Sequence, residues 1–158
     1  MSAKPLQLQQ RLKDQISASE DFLRILLLER EAIAQNQIEK LPELTEQKLT
    51  LIETLTQTEI DILSLLKEQL DEHAPEQPEK AMQKLDPANQ YQLSELLQQA
   101  RDLAAECKRE NMINSQIVDA CQGNVEQTLD ILLGREKPAV YGATGKTIKQ
   151  GGSSLGKA

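Results

Sequence analysis

The chain has 158 residues, 25 of them Leu and 19 Gln, with no Trp, one Phe and two Tyr; aromatics at 2% are too few for a typical enzyme pocket or a base-stacking platform. Charge is divided along the chain: residues 1–134 hold 13 Lys/Arg and 24 Asp/Glu, a net of −11, and residues 135–158 hold five Lys/Arg and one Glu, a net of +4. The acidic body disfavours general nucleic-acid binding, which needs clustered cations to displace counterions.

Leu, Gln, Glu and Ala tolerate or favour helix, while Val is confined to Val118, Val125 and Val140, so a β-rich domain is excluded. Pro5 suits a first helical turn. Beyond it Leu8, Leu12, Ile16, Ser19, Leu23, Leu26 and Ile33 recur every three or four residues, widened by Phe22, Leu27 and Leu28. The spacing predicts an amphipathic helix over about 5–37. Pro42 restricts Leu41 and predicts a break near 38–42, and it also suits the start of a second helix. That helix shows Leu44, Leu51, Ile52, Leu55, Ile62, Leu66 and Leu70, and it ends before Ala74-Pro75-Glu76-Gln77-Pro78. Residues 79–86 are a weak stretch leading to Asp86-Pro87, read as an N-cap and a helix-starting Pro. The third stripe is Leu93, Leu96, Leu97, Ala100, Leu103, Ala104, Cys107, Ile113, Ile117 and Cys121, continuing through Val125, Leu129, Leu132 and Leu133. Gly123-Asn124 interrupts it, but the apolar phase carries through, so one helix is expected to run to Gly134, an apt C′ glycine. The reading is all-α: an elongated antiparallel bundle of three long helices with a flexible C-terminal tail. Its expected division is a helical domain over 1–134 and a basic, Gly-rich tail over 135–158.

Several motifs point to chemistry and fail on inspection. Gly151-Gly152-Ser153-Ser154-Leu155-Gly156-Lys157 matches a phosphate loop up to its Lys, but Ala158 stands where Ser or Thr is needed, and such a loop works by aiming a following helix N-terminus at phosphate. His73, the sole histidine, precedes Pro75 at a helix end, where it suits terminal carbonyls better than phosphotransfer. A carboxylate-bridged metal site needs two Glu-x-x-His pairs, which one histidine cannot supply. Cys107 and Cys121 lie on the apolar stripe with no His nearby in sequence and are read as reduced core thiols. On one helix their spacing is about 21 Å, far beyond disulfide reach. No catalytic residue, cofactor or metal is expected. Met1-Ser2-Ala3-Lys4-Pro5 lacks the apolar stretch of a signal peptide, and no run approaches a membrane span. A cytoplasmic protein that neither binds nucleic acid nor inserts into membrane is therefore expected.

Asn111 and Asn114 interrupt the third stripe where apolar residues belong. They are either a polar seam that fixes helix register or a polar contact with a partner helix. The segment from Ile113 to Leu133 has more apolar positions than one stripe requires. Surplus of this kind suits a groove for another amphipathic helix, and equally a wholly buried last helix. In the tail, Tyr141 is a lone aromatic in a segment rich in Gly, Ser, Thr and Lys, a short docking motif or an incidental residue.

Three blocks carry a family resemblance. Leu28-Glu29-Arg30-Glu31-Ala32-Ile33 followed by Leu44-Thr45-Glu46-Gln47-Lys48-Leu49 looks like a helical hairpin of the FlgN-type flagellar export chaperones. Asn111-Met112-Ile113-Asn114 then leads into a run ending at Leu129-Asp130-Ile131-Leu132. The most specific block is Val140-Tyr141-Gly142-Ala143-Thr144-Gly145-Lys146-Thr147, because a Tyr-Gly-x-x-Gly-x-Thr tail after the last helix marks that family. The resemblance implies a chaperone of flagellar type III export whose clients are hook-associated proteins 1 and 3. It places client binding, through the clients' C-terminal helices, on Asn111, Ile113, Asn114, Ile117, Val118, Cys121, Val125, Leu129, Leu132 and Leu133. It places docking on the cytosolic domain of the export gate at Tyr141, Gly142 and Gly145. The rival from another class is a coiled-coil scaffold that self-associates through its helices.

Overall fold

A computed structural model of the chain describes residues 3–70, 77–134, 140–141 and 147–148. The described residues form four α-helices, α1 (Ala3–Ala34), α2 (Leu41–Leu70), α3 (Pro78–Leu85) and α4 (Leu93–Leu132), followed by two short strands, β1 (Val140–Tyr141) and β2 (Thr147–Ile148). Three of the helices are long, as expected; α3 is additional. Contacts divide the chain into two compact units, 1–110 and 111–158.

Within the first unit, α1 ends in a Schellman turn. Asn36 takes a left-handed φ of 56°, Gln37 N–H donates to Ala32 O at 2.7 Å, and Asn36 N–H donates to Ile33 O at 3.1 Å. A single 3-10 turn, Ile38–Lys40, then leads into α2, whose first turn holds Pro42 where no amide donor is needed. So α1 stops three residues short of the expected end, because Asn36 accepts the left-handed geometry.

Leu26 of α1 packs with Phe22 and with Cys107 of α4. Ile25 and Ala32 pack with Leu44 of α2, and Leu8 and Leu12 pack with Ile62 and Leu66. Early α1 thus meets late α2, so these two helices are antiparallel. Leu8 and Leu12 also meet Leu93, whereas Phe22 meets Cys107, so α4 runs parallel to α1 as an up-down-up bundle requires. Leu8, Leu12, Leu66, Met82 and Leu93 are fully buried, and each such side chain contributes about 1.5–3 kcal/mol. Leu27 and Leu28, expected to widen the α1 stripe, are exposed instead, since they fall on the flanks of a face already filled by Ile25, Leu26 and Glu29.

The α2–α4 connection departs from the sequence reading. Asp86-Pro87 does not start the long helix. Asp86 is the C-cap of α3, and its N–H donates to Met82 O. Its carboxylate accepts from the N–H groups of Gln90 (2.7 Å), Tyr91 (3.0 Å) and Leu93 (3.3 Å), folding the 86–92 loop back onto the start of α4. Asn89 and Gln92, both left-handed, complete the turn. His73 lies outside the described residues.

Candidate functional site

Helix α4 runs without interruption past Gly123 to Leu132, and Gly134, with φ 68°, closes it through its N–H to Ile131 O at 3.1 Å. Gly134 is therefore the C′ residue, as expected. Along α4 a single face is traced by Leu93, Ala100, Cys107 and Asn114, seven residues apart and all buried. The next position in that series, Cys121, is exposed. From there the face holds Val118, Val125, Leu129 and Leu132, every one exposed, with Leu132 at 76%. An apolar seam that is core in its first half is solvent-facing in its second.

This corrects the reading of the thiols. Cys107 is buried and its S–H donates to Ser19 O at 3.3 Å; burial, with Glu106 adding, raises its thiol above the ordinary value of 9.0. Cys121 is exposed, not core. Periodicity sets its face correctly, but periodicity carries no information on whether a neighbour covers that face.

Of the other expected client-binding residues, Ile113 and Ile117 are half-buried, and Leu133 is exposed. Met112 and Ile131, which the sequence reading left out of that group, are exposed as well. Asn111 is half-buried, and its carbonyl accepts from Ser115 Oγ at 3.1 Å. Asn114 is 2% exposed, and neither Asn is without a partner. A buried Asn in a heptad seam is the register-fixing arrangement, at some cost in stability.

The tail holds a small antiparallel pairing in which Val140 faces Ile148 and Tyr141 faces Thr147. The first and last residues of the Tyr-Gly-x-x-Gly-x-Thr motif are therefore register partners. Absence of a periodic pattern gave no signal for this pairing, since two-residue strands are too short to show alternation. Gly142 and Gly145 lie outside the described residues.

Within the first unit, α1 is tied to α4 and to α2 electrostatically. Arg30 of α1 pairs with the Glu110 carboxylate and also donates to Glu110 O at 3.4 Å. Arg109 lies 3.7 Å from the same carboxylate. Next to Arg30, Glu29 pairs with Lys48 of α2 at 3.3 Å. Glu29, Arg30 and Lys48 belong to the sequence blocks that carry the family resemblance, and Glu110 adjoins one. No group of three His, Cys, Asp or Glu suited to a metal ion, and no helix long and apolar enough to cross a membrane, occurs among the described residues.

A helical bundle whose last helix offers an exposed apolar face is a protein-binding architecture. The family model described as FlgN protein matches residues 1–149, and the chain belongs to that family, the flagellar export chaperones. No curated protein and no solved structure matches it significantly.

Proposed function

We propose that this chain is a cytoplasmic chaperone that holds the C-terminal helices of hook-associated proteins 1 and 3 and delivers these clients to the export gate. The observation that carries the reading is the exposed half of the α4 seam: Val118, Cys121, Val125, Leu129 and Leu132, with Leu133 beside them. Half-buried Ile113 and Ile117 precede this surface on the same helix, together with Asn111 and Asn114. An amphipathic client helix that would otherwise pair with other subunits covers this face, which blocks premature assembly. The contact buries apolar area without covalent chemistry, so release is reversible.

The division into a holding body, 1–134, and a basic arm, 135–158, supplies delivery. Tyr141, Gly142 and Gly145 dock on the cytosolic domain of the export gate, and a tethered second attachment raises the effective concentration there. A client lacking its C-terminal helix should fail to co-purify; retained binding would sink the holding role. Tyr141→Ala should weaken gate binding while leaving client affinity nearly unchanged, and equal loss of both would argue against a separate docking role. The exposed seam also suits the scaffold reading. Sedimentation with and without client separates the two, because a stable homo-oligomer that ignores clients favours the scaffold.

A further inference from the structure

Helix α2 carries a second apolar surface, distinct from the core and from the α4 run. Leu49, Ile52, Ile60 and Leu63 are all exposed, and with Thr56 they recur at spacings of three and four along one face. A different side of the same helix supplies Leu44, Ile62 and Leu66 to the core. Three exposed carboxylates border the outer stripe, Glu46 and Glu53 on one flank and Glu59 on the other, and one exposed cation, Lys67, stands a turn beyond Leu63 on the same face. Among the described residues no basic side chain forms an ion pair with any of these carboxylates. At one end, Glu59 and Leu63 also line a cavity of about 220 Å³ enclosed by all four helices, with Leu97, Ala100 and Arg101 of α4 on its wall.

The charges decide what covers this face. A second copy would offer one cation, Lys67, against three carboxylates, and an anionic membrane surface would be repelled by them. We propose that this face of α2 docks an amphipathic helix of a partner protein whose apolar stripe is bordered by Lys or Arg. The partner's apolar residues cover Leu49, Ile52, Ile60 and Leu63. One anchoring side chain enters the cavity beside Leu63, and the cations pair with Glu46, Glu53 and Glu59. The surface shares no residue with the proposed client face, so its occupant is a different helix.

The full chain is titrated, by fluorescence anisotropy, with three synthetic helices of about five turns. One is built of Leu and Lys, one of Leu and Glu with the same apolar face, and one of Ala and Lys with the first peptide's charge. The Leu/Lys helix should bind, and the other two should bind at least about tenfold more weakly, lacking charge complementarity or apolar area. Ile52→Ser combined with Ile60→Ser should weaken Leu/Lys binding by at least about tenfold while client affinity stays unchanged. Both positions are exposed, so the variant keeps its core. Glu46→Gln, Glu53→Gln and Glu59→Gln together should remove most of the salt dependence. Undiminished Leu/Lys binding to the Ser variant, or equal binding of the Leu/Glu helix, overturns the proposal. A concentration-dependent dimer that the Ser variant loses also overturns it, because the face then belongs to a second copy. Client affinity is read on substitutions in α4, so failure of the client reading leaves this result separately interpretable.

Discussion

Arg30 of α1 and Glu110 of α4 form an ion pair, and the residue preceding Arg30, Glu29, lies 3.3 Å from Lys48 of α2. One turn of α1 therefore ties down both neighbouring helices with charges of opposite sign. Glu110 is also the last residue of the first compact unit. The Arg30 and Glu110 side chains are 32% and 15% exposed, between a surface pair and a buried one. Arg30→Ala should destabilise the fold by about 1–2 kcal/mol, above the usual value for exposed pairs and below that for a broken buried pair. Urea unfolding of Arg30→Ala, Glu110→Ala and the double variant checks this. Strict additivity would show that the pair contributes no coupling.

The core at Leu12 and Leu66 has no exposed surface to absorb a loss of volume. Leu12→Ala or Leu66→Ala should cost about 2–5 kcal/mol through lost transfer energy and the cavity left behind. Leu27→Ala, at an exposed position of α1, should stay within about 0.5 kcal/mol. Thermal unfolding of the three variants should separate them clearly, and equal losses would mean that the burial pattern of α1 is wrong.

Asp86 gathers three backbone N–H groups in the loop before α4. Asp86→Ala removes all three acceptor contacts and should cost about 1–2 kcal/mol, with loss of amide-exchange protection at Gln90, Tyr91 and Leu93. Asp86→Asn keeps one acceptor oxygen and should recover part of the loss. Unchanged protection in Asp86→Ala would refute the capping role.

The two thiols should react at very different rates. Cys121 is exposed, whereas Cys107 is buried and its thiol is raised by burial, with Glu106 adding to the shift. A raised folded value leaves less thiolate near neutral pH, so a thiol reagent should modify Cys121 first and Cys107 only on unfolding. The same shift has a stability consequence. The protonated thiol is favoured in the fold, so its contribution is present below the unfolded value and is lost as pH rises through the raised folded value. Mass spectrometry of partly labelled protein decides the order, and early labelling of Cys107 would contradict its placement in the core.

Much of this fold is written in the spacing of apolar residues. The three long helices follow from stripes at three- and four-residue intervals, and Gly134 closes α4 where a C′ glycine was expected. Helix α3 was not legible, because its eight residues are too few for a helix to stand alone and burial of Ala81 and Met82 supports it. Asp86-Pro87 misled for a related reason: an Asp whose oxygens accept backbone N–H groups suits a loop as well as a helix start. At the candidate site, the sequence marked the apolar surplus of α4 but could not divide buried from exposed. Cys107 and Cys121 occupy equivalent positions of one seam, and only the three-dimensional packing tells them apart. The pairing of Tyr141 with Thr147 was equally hidden, since it depends on a register between two very short strands.

The exposed seam of α4 is tested most directly by calorimetric titration of a hook-associated protein's C-terminal helix into the full chain and into the combined variant Val118→Ser, Val125→Ser, Leu129→Ser. All three side chains are exposed, so the melting temperature should hardly move. Affinity should fall by at least about tenfold, because the substitutions remove apolar area that only the complex buries. Affinity unchanged in a variant that melts normally would contradict the holding role assigned to this face.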